Sequence, residues 1–213
     1  MKTYLFDFDG TLVDSMPTYS QVMLRILREN NIPHSSDIIK TITPLGLLKT
    51  AEHFISLGLD KTVEEIVLIM RDYLLEEYLY NIPAKEKVPE VLRLLKDRGD
   101  SLHVLTASPH ATLDPCLKRL GIYALFENVW SCDDFATTKS DPAIYHMAAE
   151  RIGVRVDQVL FLDDNLNADR TARAAGMRVC GVFDESSAEY EEEIRAAADF
   201  YIRDFSQLPE LEF

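Results

Sequence analysis

Residues 3–11 read TYLFDFDGT, a buried strand pattern followed directly by an acidic loop, and the fold is predicted outward from this stretch. Residues 3–6 form a short, mostly apolar and aromatic run that stops at an acidic loop, as a buried strand does. Similar runs follow much later, at residues 102–105, 159–162 and 177–182. Helical patterns accompany them at residues 89–98, 113–120, 142–151 and 166–175, and residues 189–202 predict one more helix and an edge strand. Alternating strands and helices predict an α/β fold, a doubly wound parallel sheet with helices on both faces.

Residues 15–87 interrupt this alternation with helical patterns alone. Apolar side chains recur at helical spacing in the first part, at Tyr19, Val22, Met23, Ile26 and Leu27. Farther on, Thr62 and Glu65 form a capping box ahead of a second apolar stripe. We therefore expect a helical cap at residues 15–87, inserted into a core of residues 1–14 and 88–213. The chain would return to the core through a linker at residues 81–84.

Composition limits the class of ligand. The chain of 213 residues carries 36 acidic and 22 basic side chains, a formal net charge of −14. This charge repels nucleic acid and anionic membranes, so we expect a small diffusible ligand and neither nucleic acid nor membrane as partner. The three cysteines match no zinc motif, and no apolar stretch approaches the roughly 20 residues of a membrane span. We expect a cytoplasmic protein, and the sequence leaves open whether it is a monomer or a homodimer.

Polar residues follow three of the predicted strands. Asp7 follows the first and Thr106 the second, the pair Asp163 and Asp164 follows the third, and Lys139 precedes a helix. Because ligands of open α/β sheets bind outside the carboxyl ends of the strands, we expect these side chains to form one site. Converging carboxylates repel each other unless a cation neutralises them, and Mg²⁺ prefers such oxygen ligands. The sequence therefore predicts a Mg²⁺ site in which Lys139 and Thr106 bind a phosphate.

Residues 7–11, DFDGT, resemble the DxDGT signature of the haloacid dehalogenase superfamily. Thr106 resembles the second motif of that family and Lys139 the third. Asp163 and Asp164, with Asp169 after four more residues, resemble the acidic fourth motif. The flanking residues 12–15 and 174–177 also match, so the resemblance covers nearly the whole chain. It implies a Rossmann-like core with a helical cap, as in the subgroup of β-phosphoglucomutases and phosphoglycolate phosphatases.

The resemblance also implies a role for each motif residue. Asp7 would be the nucleophile that forms an aspartyl-phosphate. Asp9 would protonate the leaving group and then deprotonate the attacking water. The ligands of Mg²⁺ would be Asp7, the backbone carbonyl of Asp9, and Asp164, with Asp163 as a further ligand or an orienting group. The phosphoryl oxygens would be bound by Thr106, by the backbone amide of Ala107 and by Lys139.

The sequence departs from the family pattern after the third motif and within the fourth. Ser140 follows Lys139 where the family commonly has proline, but the cation is kept. Asp163 stands where the family often has glycine, which leaves its part in metal binding open. Asp169 is either part of the site or a residue that caps and solvates the following helix.

The implied activity is that of a Mg²⁺-dependent phosphatase acting on a small phosphorylated metabolite. One alternative is a sugar phosphomutase of the β-phosphoglucomutase type, but such mutases place a histidine in the first cap helix, and residues 17–20 read PTYS. A dehalogenase would not need the second carboxylate, Asp9. A non-catalytic binding protein with the same fold is a further alternative. The sequence does not indicate which metabolite is the substrate. Residues 43–49 of the cap, Lys49 among them, are candidates for contact with it.

Overall fold

The computed structural model describes residues 1–35, 37–42 and 45–213, apart from the side chain of Lys40. Within these residues, six strands form one sheet in the order β3-β2-β1-β4-β5-β6, and all neighbouring strands are parallel. The strands are β1 Thr3–Phe6, β2 Ser101–Thr106, β3 Asn128–Ser131, β4 Val159–Asp163, β5 Arg178–Val182 and β6 Phe200–Ile202. This order, with β1 in the middle, confirms the predicted doubly wound sheet.

The central strands are buried along their whole length. Every residue of β1, β2 and β4 is buried, which explains why they read as continuous apolar runs rather than as alternating patterns. Helices surround the sheet: α5 Val88–Asp97, α6 His110–Arg119, α7 Ala143–Ile152, α8 Leu166–Ala174 and α9 Glu191–Ala197. Every observed end of these helices lies within three residues of the predicted one, because periodicity and capping residues are local signals.

The chain divides into two compact units. One contains Met1–Asp14 and Ile82–Phe213, which is the α/β unit, and the other contains Ser15–Asn81. The second, helical unit consists of α1 Met16–Glu29, α2 Ile38–Ile42, α3 Gly46–Ser56 and α4 Val63–Tyr80. It has its own apolar core, in which Met23 and Ile26 of α1 join Phe54 of α3 and Met70 of α4. The predicted capping box begins α4, since Glu65 N donates to Thr62 Oγ1 at 3.2 Å and Thr62 N to Glu65 Oε2 at 2.7 Å.

The return of the chain to the α/β unit differs from the prediction. The helical unit ends at Asn81 rather than at residue 87. Ala84 forms an antiparallel bridge with Val13, Asp14 N donates to Pro83 O, and Lys85 N donates to Leu12 O. Residues 12–14 have backbone groups that the sheet does not pair, so the returning segment supplies their hydrogen-bond partners and becomes part of this unit.

Three further sequence-based expectations concern the rest of the chain. Of the segment predicted to contact the substrate, Thr43 and Pro44 lie outside the described residues, and Lys49 is an exposed residue of α3. Contact of Lys49 with a substrate therefore stays a prediction.

Cys116, Cys132 and Cys180 are buried free thiols. Among the described helices, none combines the length and the apolar character needed to cross a bilayer.

Candidate active site

Asp7 is placed by the end of β1 and by a tight loop. Its backbone N–H donates to Leu162 O at 2.8 Å, which continues the pairing of β1 with β4. The chain then turns back at once, because the N–H groups of Leu12 and Val13 both donate to Phe8 O. Gly10 adopts the left-handed conformation that this turn requires, with φ of +73°. The nucleophile predicted from the sequence therefore lies at a fixed position at the carboxyl edge of the sheet.

Three carboxylates converge at this edge. Asp7, Asp163 and Asp164 are buried, and each offers one oxygen that lies within 4.8 Å of the oxygens offered by the other two. Asp163 is the last residue of β4, which pairs directly with β1, so neighbouring strands bring the side chains together. Thr11 Oγ1 donates a hydrogen bond to Asp164 Oδ1 at 3.3 Å. Thr11 belongs to the first motif, but that motif does not indicate which group the hydroxyl of Thr11 binds.

Lys139 supplies the cation of the cluster. Its Nζ lies 2.5 Å from Asp7 Oδ1 and 2.7 Å from Asp163 Oδ2, and the side chain is largely buried. The hydroxyl of Tyr145, on α7, lies 3.0 Å from Lys139 O and 3.1 Å from Ala168 O, so it fixes the backbone of the lysine to the start of α8. One ammonium thus bridges carboxylates at the ends of two adjacent strands.

The electrostatics of the cluster show an excess of negative charge. Burial raises the pKa of Asp7 to about 7, with Lys139 acting against this shift and Asp163 adding to it. Burial, reinforced by Asp163, also raises the pKa of Asp164 well above its ordinary value. For Lys139, burial acts to lower the pKa, but Asp163 and Asp7 outweigh it and the pKa is raised well above its usual range. A single ammonium does not neutralise three buried carboxylates.

Asp169 is buried beside these carboxylates and does not cap a helix. It lies inside α8, and among the residues that the structure describes neither of its side-chain oxygens has a hydrogen-bond partner. The cap of α8 is Asn165, whose side chain accepts from the N–H groups of Asn167 and Ala168. The capping interpretation of Asp169 is therefore wrong. Burial, with Asp163 and Asp164 nearby, raises the pKa of Asp169 well above its ordinary value.

These residues fit a hard divalent cation. The donor set consists of carboxylate oxygens, the ligands that Mg²⁺ prefers, and its charge exceeds that of the one lysine. The backbone also leaves space for the carboxylates, since a Cβ built on Gly10 would lie 2.6 Å from Asp164 Oδ2. Glycine at this position thus keeps open the space that Asp164 occupies.

Asp9 lies outside the carboxylate cluster and contacts the end of β2. Ser108 Oγ donates to Asp9 Oδ2 at 2.5 Å, and Ser108 N donates to Thr106 Oγ1 at 3.1 Å. Because that hydroxyl already accepts a hydrogen bond, its own proton is free to point to another acceptor, such as a phosphate oxygen. Ala107 lies between the two hydroxyl residues and is exposed. The structure therefore places Asp9, Thr106 and Ala107 together on the β2 side of Asp7.

Sequence reasoning missed Ser108. The available signal was its position two residues beyond the end of a buried strand, where a hydroxyl side chain can reach the neighbouring strand's loop. That signal does not identify the partner, because the contact with Asp9 joins residues 99 positions apart.

The chain is similar in sequence and in fold to several known proteins. The family model described as "haloacid dehalogenase-like hydrolase" matches residues 1–176. The chain is 30% identical to a phosphoglycolate phosphatase of Colwellia psychrerythraea, over 85% of this chain and 84% of that protein. It is 24% identical to the validoxylamine A 7'-phosphate phosphatase of Streptomyces hygroscopicus subsp. limoneus, over 97% of this chain and 95% of that protein. The crystal structure of a "putative beta-phosphoglucomutase" from Thermotoga maritima has a TM-score of 0.86 at 21% identity, with 100% of both chains covered, and shows the shared fold.

Proposed function

We propose that this chain, which belongs to the haloacid dehalogenase-like hydrolase family, is a Mg²⁺-dependent phosphatase that acts on a small phosphorylated metabolite through an aspartyl-phosphate at Asp7. The family match and the relatives named as phosphatases confirm the sequence-based prediction of a phosphoric monoester hydrolase. The observation that carries the proposed mechanism is the placement of Asp7, a buried carboxylate at a strand end, 2.5 Å from a buried ammonium.

In the first half-reaction, an oxygen of Asp7 attacks phosphorus and the ester P–O bond breaks. Lys139 offsets the charge of the phosphoryl oxygens, and Thr106 and the backbone N–H of Ala107 donate hydrogen bonds to them. The leaving oxygen takes a proton from Asp9. In the second half-reaction, Asp9 removes a proton from water, the water oxygen attacks phosphorus, and the bond to Asp7 breaks. Inorganic phosphate leaves and both carboxyl groups return to their first states.

The proposed ligands of Mg²⁺ are Asp7, Asp164 and the backbone carbonyl of Asp9. Asp163 is better suited to orient its neighbours, because its Oδ2 accepts from Lys139 at 2.7 Å and its Oδ1 accepts from Asn165 N at 2.8 Å. Both of its oxygens therefore already have donors within the chain. When bound, the ion would supply positive charge to the phosphoryl oxygens.

A phosphomutase would use the same first half-reaction with a sugar hydroxyl in place of water. The residues at the start of α1, 17–20, include no histidine, and neither does the rest of that helix. This absence favours the phosphatase over the mutase that the family resemblance leaves as an alternative. If the protein interconverted hexose phosphates faster than it released inorganic phosphate, the mutase would be favoured over the phosphatase.

The experiment is a phosphate-release screen of common phosphometabolites and p-nitrophenyl phosphate, with and without Mg²⁺. We expect release only with Mg²⁺ and none from Asp7→Asn, because the amide is nearly isosteric but is a poor nucleophile. Asp60→Asn, the same change at an exposed carboxylate of the helical unit, serves as the matched control and should retain full activity. Near-normal hydrolysis by Asp7→Asn would refute the proposed nucleophile, and no release by the unmodified chain would favour a non-catalytic protein.

A further inference from the structure

Lys85 lies in the segment through which the chain returns to the α/β unit, and its ammonium contacts three oxygens. Nζ lies 2.5 Å from Gly10 O, 2.7 Å from Phe183 O and 2.8 Å from Asp184 Oδ2. The side chain is only 17% exposed. Two of these oxygens follow β5 and the third belongs to the loop after β1, so one side chain connects the loops that follow two strands with the returning segment.

The backbone of Lys85 is fixed by the same loop. Its N–H donates to Leu12 O at 3.0 Å, and the preceding residue, Ala84, forms the bridge with Val13. With the backbone held on one side of the loop and the ammonium bound to Gly10 O on the other, the lysine has little freedom to move. The loop is correspondingly restrained at residues 10, 12 and 13.

Asp184 completes the environment of the ammonium. Its Oδ2 accepts from Lys85, while its Oδ1 accepts from the backbone N–H and the hydroxyl of Ser186. Burial acts to raise the pKa of Asp184, but the hydrogen bonds from Lys85 and Ser186 outweigh it and the pKa is lowered. The carboxylate is therefore charged and paired, and the ammonium is held in a set of oxygens that suits a cation.

The contact with Gly10 O connects Lys85 to the proposed chemistry. Gly10 lies between Asp9 and Thr11 and packs against the carboxylate of Asp164. A rotation of the peptide that carries Gly10 O would shift the Asp9 backbone on one side and the hydroxyl of Thr11 on the other. Small displacements at such a site are costly, since a misplacement of about 1 Å can lower a rate about 10²-fold.

We propose that Lys85 is a positioning residue for phosphoryl transfer. Its ammonium binds the carbonyl of Gly10 and thereby holds the nucleophile loop, residues 7–13, against Asp164. This inference rests on the proposed function, because the residues it positions are those assigned to the nucleophile loop and to Mg²⁺ binding. A neutral side chain of the same length would leave three oxygens without their donor, and such unpaired buried acceptors favour a rearrangement of the loop.

The test compares Lys85→Met with Lys87→Met. Lys87 lies in the same segment, but its side chain is 51% exposed and its ammonium is 3.8 Å from the exposed Glu86, so it is a matched control. We expect Lys85→Met to lower kcat at least about tenfold while KM changes much less, because the loop positions reacting groups. Lys87→Met should stay within twofold of the unmodified chain in both constants.

Chemical rescue separates positioning by the ammonium from simple packing. Lys85→Ala should recover several-fold in kcat when n-propylammonium, which replaces the missing part of the side chain, is added. Tetramethylammonium carries the charge but has no N–H to donate, so it should restore nothing. If Lys85→Met does not fold, Lys85→Gln takes its place with the same expected loss.

The inference is overturned if Lys85→Met keeps kcat within twofold of Lys87→Met, or if tetramethylammonium restores activity as well as n-propylammonium does. Absence of phosphate release by the unmodified chain would instead defeat the proposed function. The positioning role is then judged by calorimetric titration with inorganic phosphate in the presence of Mg²⁺. Binding at least tenfold weaker in Lys85→Met than in Lys87→Met supports it, and equal affinities overturn it.

Discussion

Replacing Gly10 by alanine tests whether the nucleophile loop must pack directly against Asp164. A Cβ at this position would lie 2.6 Å from Asp164 Oδ2 and 2.7 Å from both Cγ and Oδ1. Ordinary contacts begin at 3.4 Å, so the carboxylate or the loop must move by about 0.8 Å. The substitution also places a side chain on a residue with φ of +73°.

The two effects differ in size and in what they change. Left-handed backbone costs a residue with a side chain about 1–2 kcal/mol. Alanine also restricts the unfolded chain, which offsets about 0.4–1 kcal/mol, so the conformational cost alone is a net loss of about 1 kcal/mol in the free energy of unfolding. The displacement of Asp164 approaches the 1 Å at which rates fall about 10²-fold. We therefore expect Gly10→Ala to lower kcat by about 10- to 100-fold.

Gly121→Ala is the matched control. Gly121 has φ of +69°, and a Cβ there would meet no atom of the described residues within 4 Å apart from its own chain neighbours. It should lose about the same 1 kcal/mol in denaturant unfolding and keep its kcat. The assay is hydrolysis of p-nitrophenyl phosphate at saturating Mg²⁺, together with unfolding of both variants. Equal kcat values for the two variants would show that the contact of Gly10 with Asp164 is irrelevant to turnover.

Three further predictions concern other buried contacts. Ser108→Ala should lower kcat more for alkyl phosphates than for p-nitrophenyl phosphate, because Asp9 loses the hydrogen bond from the Ser108 hydroxyl and poor leaving groups depend most on proton transfer; equal losses would contradict this. Lys139→Met, measured by denaturant unfolding with EDTA present, should lose about 3 kcal/mol because two buried carboxylates lose their cation; stability equal to that of the unmodified chain would contradict it. Burial lowers the pKa of His103 from its ordinary 6.5 to about 4, so its contribution to stability is complete above pH 6.5 and is lost as the pH falls toward 4. Between pH 6.5 and pH 4, the free energy of unfolding should fall by about 1.4 kcal/mol per pH unit and by at most about 3 kcal/mol in total. A His103→Gln variant whose stability fell in parallel with that of the unmodified chain over this range would contradict the prediction.

The structural basis of the His103 prediction is a fixed chain of hydrogen bonds. Nδ1 of His103 lies 3.0 Å from Asn128 Nδ2, which is a donor, so this ring nitrogen must be the acceptor. Nε2 then carries the proton and lies 2.8 Å from Ser101 Oγ, whose own hydroxyl donates to Glu127 Oε2. A second proton on the ring would face the amide donor of Asn128, so this contact disfavours the same charged ring that burial disfavours.

Much of the fold and of the site could be predicted because the signals are local. The strand at residues 3–6 and the turn that follows it are specified by neighbouring residues, and the capping box at Thr62 fixes the start of α4. The convergence of Asp7, Asp163 and Lys139 also followed from the sequence. Polar residues at the carboxyl ends of adjacent parallel strands must meet at one edge of the sheet.

The remaining features depend on contacts that no local pattern specifies. The helical unit ends at Asn81 because residues 12–14 need backbone partners and the returning chain supplies them. For Asp169 the sequence allowed two roles, a cap of the following helix or a part of the site, and the burial of this side chain inside α8 distinguishes them. The ammonium of Lys85 reaches oxygens 75 and 98 residues away, and nothing near it in the sequence distinguishes it from Lys87.

The amino-acid sequence alone predicts the succession of strands and helices along the chain and the edge of the sheet at which the carboxylates lie. It does so because periodicity and strand ends are properties of neighbouring residues. Which side chain orients which depends on the folded arrangement of the segments. Packing between distant segments gave Asp9 its contact with Ser108, Asp163 its contact with Lys139 and Gly10 its contact with Lys85. The direction of a side chain is set by the free energy of burying it among such partners, and that free energy exists only once the segments have come together.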